Sequence, residues 1–333
     1  MNQVFFALLR SGLWERPLVA SDLAAAAALD EADWKAILQI TKQQTVAGLL
    51  YRAVTNLPDD FKLPDGYVLD LMAIAGGLTR ENHTKAAVTK KIFGECAEAG
   101  LHPVVMKGQS VAAYYAHPEL RSSGDIDLYF PPEEYPRALT LLGGEKAPDG
   151  TRHIRRDGID IDIHDRYFDL HCPARKLPAV GTPEATILLL SSHILKHAIG
   201  PGVGLRQCCD LAAAWHNLAP AIDPKQMREI FRQTGTLHWN QLLFSFLAEY
   251  LDLPETLFAD ERVSSVPLLR IILEGGNFGH HADARTRALQ GNDRKRKRNT
   301  LSRFLHRLPF SLRYAPRETI VTMYSLFRGN LRR

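Results

Sequence analysis

Hydrophobic positions follow two different periods along this chain. Through about residue 100 they recur at helical spacing. After Asp30-Glu31-Ala32-Asp33, the residues Trp34, Ile37, Leu38 and Ile40, then Val46, Leu49 and Leu50, follow a 3.6-residue period, which predicts amphipathic helix. Leu57-Pro58-Asp59-Asp60 and Leu63-Pro64-Asp65-Gly66 mark a connector with turns. A long helix is expected from about Tyr67 to Glu98, ending near Gly100, with Gly76-Gly77 as its weakest point.

Between residues 101 and 170 the period changes to two. Val104-Val105, Gly124 to Phe130, and Ile159 to His164 read as strands. Side chains alternate across a strand, so Asp125 and Asp127 share one face while Ile126, Leu128 and Phe130 supply apolar packing. In the last strand, Asp160, Asp162 and His164 take one face and Ile159, Ile161 and Ile163 the other. Asp157-Gly158 is a two-residue hairpin signal because both positions tolerate positive φ. That turn sets a register: Arg156 faces Ile159, Arg155 faces Asp160, Ile154 faces Ile161 and His153 faces Asp162. An Arg155–Asp160 ion pair explains Asp160, and His153 is a candidate hydrogen-bond partner for Asp162.

After Pro173 helical spacing returns. Thr182-Pro183-Glu184 is a helix start, with Thr as cap, Pro at the first position and Glu in the first turn. This helix should run to about Ala198 and stop at Gly200-Pro201-Gly202-Val203-Gly204. Another is expected from about Leu205 to Asn217, with Arg206 and Asp210 at i, i+4, and helical patterns continue through Met227–Phe231 and Leu242–Leu251. Gly275 to Asn292 reads as a mobile connector and Arg294–Arg298 as a solvated block. From Leu301 onward, scattered apolar residues among arginines suit an anionic surface or a protein partner.

Composition adjusts this picture in three places. The 333 residues, 45% apolar, allow a sizeable core and more than one compact unit. The cysteines Cys96, Cys172, Cys208 and Cys209 form neither a CxxC pair nor a disulfide framework, which fits a reducing cytoplasm. The N-terminus lacks a basic segment and a cleavage site, and no apolar run reaches the roughly 18 residues of a membrane span. A cytoplasmic protein, at most peripheral to the membrane, is expected. The net charge of +4 is unevenly placed: Asp293 to Arg333 carries twelve Lys or Arg against two acids, a local +10, leaving −6 for the rest. No base-stacking aromatics accompany the basic tail, so nucleic acid is not the expected partner.

The acidic balance directs attention to the paired strands. Carboxylates held this close repel unless a cation lies between them. Two aspartates on one strand and a third on a neighbour would hold Mg²⁺ or Mn²⁺, and two such ions roughly 3.5–4 Å apart stabilise both oxygens of an in-line phosphoryl displacement. Gly108, after the Val104-Val105 strand, lets backbone N–H groups approach a phosphate, with Ser110 adding a hydroxyl. Lys107 can reach a phosphate or pair with an acid, and Arg121 can touch phosphate or an aspartate. His193 and His197 have the i, i+4 spacing of a zinc pair, but the segment reads His-Ile-Leu-Lys-His without the HExxH glutamate, so packing beneath the site is the favoured reading.

Val105-Met106-Lys107-Gly108, Leu120-Arg121, Asp125-Ile126-Asp127-Leu128 and Asp162-Ile163-His164, followed by His193, His197, Gly204-Leu205-Arg206 and Asp210, resemble the bacterial uncharacterised nucleotidyltransferase group of the polymerase β-like nucleotidyltransferase superfamily. The resemblance implies an α+β protein, a small mixed-sheet core flanked by N- and C-terminal helical segments. It implies transfer of an NMP from an NTP to a small-molecule, saccharide or peptide acceptor. Asp125 and Asp127 would be metal ligands and Asp162 the third carboxylate, completing the metal site and helping to deprotonate the acceptor. Lys107, Gly108, Ser110 and Arg121 would bind nucleotide, and His164 and His197 would support the site. The wider superfamily has a Gly-Ser pair where this chain has Lys107-Gly108-Gln109-Ser110. The expected divisions are 1–85 helical, 86–175 nucleotidyltransferase-like core, 176–290 helical, and 291–333 basic tail. The competing readings are a non-catalytic nucleotide- or partner-binding member of the same fold, and a phosphoryl or glycosyl transferase on the same core.

Overall fold

The computed structural model describes residues 2–146, 151–171, 176–200, 202–254, 257–275 and 304–331, with side chains described to residue 324. The connector expected at Gly275–Asn292 beyond Gly275 itself, the basic block Arg294–Arg298, and Cys172 lie outside the described residues. The chain divides into two compact units, residues 1–41 with 46–167, and residues 42–45 with 168–333.

The first unit begins with α1 (Asn2–Trp14), α2 (Ala20–Ala27), α3 (Glu31–Gln43) and α4 (Ala47–Thr55). The period seen between Trp34 and Leu50 is thus split in two. Thr45, at φ +53°, is left-handed, which an L-residue does not adopt inside a helix. Helices α1 and α4 cross with almost no space between backbones. A Cβ built on Gly12 would lie 1.8 Å from the Leu49 carbonyl oxygen, and one on Gly48 would lie 1.9 Å from that of Leu120. Only glycine fits at either position.

Helix α5 (Asp65–Glu98) is continuous through Gly76-Gly77, so the expected division between residues 85 and 86 falls inside it. A five-stranded sheet follows in the order β1-β2-β5-β4-β3, with β1 Val104–Val105, β2 Ile126–Tyr129, β3 Glu145–Lys146, β4 Arg152–Arg156 and β5 Ile159–His164. Strand β2 runs parallel to β5 and the remaining neighbours are antiparallel, making a mixed sheet. The β4–β5 register is the one the Asp-Gly turn dictates, and Asp157 and Gly158 have φ of +49° and +80°.

One face of the sheet is the core. Ile126, Leu128 and Phe130 with Ile161 and Ile163 pack against Val88, Ile92 and Cys96 of α5 and against Ala138 and Leu142 of α7 (Tyr135–Leu142). Burying these aliphatics, at roughly 1.5–3 kcal/mol each, fixes which way the alternating strands face. Asp127, Asp162 and His164 must then emerge from the other side.

The second unit is helical. Helix α8 (Pro183–Ile199) starts where Thr182 accepts a hydrogen bond from the Ala185 N–H at 3.2 Å, and α9 spans Leu205–Leu218. Then come α10 (Pro224–Gln233), α11 (Leu237–Leu251) and α12 (Val266–Gly275). Cys208 and Cys209 are fully buried in α9. The tail expected to face a surface or partner is largely helical where it is described. Residues 308–314 and 316–331 form α13 (Leu308–Tyr314) and α14 (Pro316–Leu331), with Phe304, Tyr314 and Ala315 in the core of this unit. The buried Glu318 carboxylate accepts the His171 backbone N–H at 2.6 Å, and Arg307 donates to the carbonyls of Ala198 and Gly200. Other apolar residues of the tail are exposed, Leu305, Leu312, Ile320 and Tyr324 among them. Among the described residues no helix is long and apolar enough to cross a membrane.

Candidate active site on the polar face of the sheet

The parallel pairing of β2 and β5 places Asp127 directly opposite Asp162, and Tyr129 opposite His164. Asp127 and His164 are therefore diagonal neighbours on one face. His164 Nε2 lies 2.8 Å from Asp127 Oδ1, and Lys107 Nζ lies 3.4 Å from the same oxygen. Asp162 contacts His153 Nδ1 across the hairpin, as the register requires. One donor atom each from Asp127, Asp162 and His164 lie within 4.8 Å of one another, a group able to hold a metal ion. His164, expected to support the site, reaches across strands to Asp127, its diagonal neighbour in the parallel register.

Asp125 differs slightly from its expected place. Strand pairing covers only Ile126–Tyr129, so Asp125 is exposed at the strand entrance and does not extend the ladder. Its charge still reaches the site. Burial first, then the charge of Asp125 and, more weakly, that of Asp127, push the Asp162 carboxyl up from 3.8 to about 6, against the opposing pull of His153. A cation beside this half-buried carboxyl would offset both its burial and the repulsion of Asp125 and Asp127.

The Lys107-Gly108 turn is built beside these residues. The Met106 N–H donates to the Asp127 carbonyl at 3.0 Å, holding β1 beside β2. Gly108 then turns with φ +67°, a conformation that disfavours side chains, and a Cβ there would lie 3.7 Å from the Asp125 carbonyl oxygen. Thr89 of α5 donates to Gln109 at 2.7 Å, which ties the turn to the long helix. Ser110 is exposed in the short helix α6 (Gln109–Ala112). Arg121 is buried, 7% exposed, and its guanidinium donates to the Ser122 carbonyl at 3.1 Å.

Two residues that sequence reading does not single out shape this site. Asn82 Nδ2 donates to the carbonyls of Glu119 and Arg121 at 2.7 and 2.9 Å. Lys85 Nζ, one turn on, donates to the Ser123 carbonyl and hydroxyl at 2.9 Å each and pairs with Glu81 at 2.5 Å. Polar atoms of α5 thus clasp alternate carbonyls of the segment leading into Asp125. The available signal was a lysine and an asparagine three residues apart in the helix preceding the acidic strand, which reads equally well as a solvated face.

His197 belongs to the second unit. It is buried, with its ring centroid 4.4 Å from that of His193, and His193 Nδ1 pairs with Asp169 at 2.8 Å.

The mixed sheet thus presents Asp127 and Asp162 side by side, with the Lys107-Gly108 turn beside them. The family described as "Uncharacterised nucleotidyltransferase" matches residues 30–252, more than half of the chain, and the chain belongs to it. Comparison with curated proteins and with solved structures gives no significant match.

Proposed function

We propose that this protein transfers a nucleoside monophosphate from an NTP to a hydroxyl or phosphate acceptor on a small molecule, saccharide or peptide. The observation that carries this reading is the juxtaposition of Asp127 and Asp162 across the parallel β2–β5 pair, where burial and then the charge of Asp125 raise the Asp162 carboxyl to about 6.

The carboxylates of Asp125, Asp127 and Asp162 would hold the divalent ion, Mg²⁺ or Mn²⁺, that neutralises triphosphate charge in such reactions. Lys107, 3.4 Å from Asp127, supplies a positive charge beside the carboxylates for the β- and γ-phosphates. Gly108 and Ser110 offer backbone N–H and hydroxyl donors along the same turn, and Arg121 supports the segment from within. Asp162, with its elevated pKa, takes the proton from the acceptor hydroxyl. The acceptor oxygen attacks the α-phosphorus, the bond to the β-phosphate oxygen breaks, and pyrophosphate departs. His153 steadies Asp162 from the neighbouring strand.

The test is isotopic. Incubation with α- or γ-labelled NTP, a divalent ion and a panel of sugars, nucleosides and peptides should add an NMP mass to an acceptor, retain only the α label, and release pyrophosphate. Transfer of the γ label would show a kinase, and a sugar mass from a nucleotide sugar would show a glycosyltransferase. Either product would overturn the proposal. Asp127→Asn should abolish the product.

A further inference from the structure

His164 stands out among the groups facing the carboxylates. The polar face could have carried another acid or a small polar residue there, yet it presents an imidazole whose Nε2 points at Asp127 Oδ1 at 2.8 Å. The ring is 22% exposed and Asp127 14%, so the pair is only partly hydrated. Two donors on adjacent corners of an octahedral ion, with bonds of about 2.1 Å, lie about 3 Å apart. The His164–Asp127 spacing has that value, and Asp162 completes a group within 4.8 Å.

We propose that His164 Nε2 is itself a metal ligand alongside Asp127 and Asp162, and that this nitrogen–oxygen set makes the centre selective for a first-row divalent transition ion over Mg²⁺. The inference rests on the proposed nucleotidyl transfer for the presence of an ion, and it adds the identity of the ligands and the class of ion. The selectivity follows from ligand chemistry. Mg²⁺ is a hard ion that takes oxygen and keeps its waters, whereas imidazole favours the transition ions that lie higher in the divalent affinity series. A purely carboxylate centre would leave that choice to availability. The strand period sets the ligand identity: Asp162 and His164 are two residues apart on β5, hence on one face, and the parallel register brings both to Asp127. His153 is the competing imidazole. It contacts Asp162 through Nδ1 from the outer strand β4, and the arrangement gives it the part of partner to the ligand.

The experiment is pulsed electron paramagnetic resonance of Mn²⁺ bound to the full-length protein, paired with calorimetric titration of Mn²⁺ and Mg²⁺, each with and without ATP. Wild type should show a directly coordinated ¹⁴N and bind Mn²⁺ at least about tenfold more tightly than Mg²⁺. His164→Gln should lose the nitrogen coupling and weaken Mn²⁺ on the order of 10- to 100-fold, with Mg²⁺ little changed. His153→Gln should retain the coupling. The wild-type spectrum decides the matter even if a variant folds poorly. Mn²⁺ bound without nitrogen coupling, or coupling that His164→Gln leaves intact, overturns this inference while leaving nucleotidyl transfer standing. Failure of Mn²⁺ and Mg²⁺ to bind under any condition, ATP included, overturns both.

Discussion

Replacing Lys85 with methionine tests whether α5 positions the acidic strand. Lys85 is 2% exposed, and its ammonium pairs with Glu81, 48% exposed, and with the carbonyl and hydroxyl of the half-buried Ser123. The Glu81 pair therefore contributes little, below about 1 kcal/mol. The two bonds to Ser123, at 2.9 Å, are charge-assisted, and each would be worth roughly 1.5–3 kcal/mol in isolation. Against that, methionine fills much of the same volume and removes the cost of holding an ammonium away from water. The balance is a net loss of about 2–3 kcal/mol, or roughly 5–10 °C in melting temperature for a unit of this size. The assay is thermal unfolding followed by circular dichroism, with Glu81→Gln alongside as the control expected to fall within about 0.5 kcal/mol of wild type. Because Ser123 lies two residues before Asp125, Lys85→Met should also weaken nucleotide binding at temperatures where it remains folded. Equal stability of Lys85→Met and wild type, or a loss as large from Glu81→Gln, would refute the reasoning.

Three further outcomes follow from the structure. The Asp162 carboxyl is raised from 3.8 to about 6, so carrying its charge costs stability; that cost is absent below about pH 3.8, grows between 3.8 and 6, and is complete above. Asp162→Asn should therefore melt higher than wild type at pH 7.5 and show no such gain at pH 4, and a gain equal at both would contradict the assignment. Gly48→Ala gains about 1 kcal/mol of helix propensity but places a Cβ 1.9 Å from the Leu120 carbonyl oxygen, so a net destabilisation of about 2 kcal/mol or more is expected by chemical denaturation. Thr182→Ala removes the cap on the Ala185 N–H and should cost the second unit about 1 kcal/mol, measurable as a shift in denaturation midpoint without change in slope.

Strand period and turn chemistry make half of the site legible in the sequence. The alternation in Ile159–His164 and the Asp157-Gly158 turn carry the register of β4 on β5 down to His153 facing Asp162. What alternation cannot carry is which strands neighbour each other. The parallel β2–β5 pair is non-local, and with it come the Asp127–Asp162 juxtaposition and the His164–Asp127 contact. Periodicity finds the helices around Trp34 and Leu50 but not their break at Thr45, a local backbone event. In the tail, arginines dominate the composition, and that Phe304, Tyr314 and Ala315, spread among them, are buried is visible only in the structure. Lys85 is hidden for the opposite reason: a lysine on a helix reads as solvated, and only tertiary structure shows its ammonium inside.

The most direct test of the central claim is calorimetric titration of each NTP into wild type and Asp125→Ala/Asp127→Ala, with and without divalent metal. Nucleotidyl transfer at the β2–β5 face predicts metal-dependent binding of at least one NTP by wild type and its loss in the double variant. A well-folded wild type that binds no nucleotide in the presence of Mn²⁺ and Mg²⁺, or a double variant that binds as wild type does, would contradict it.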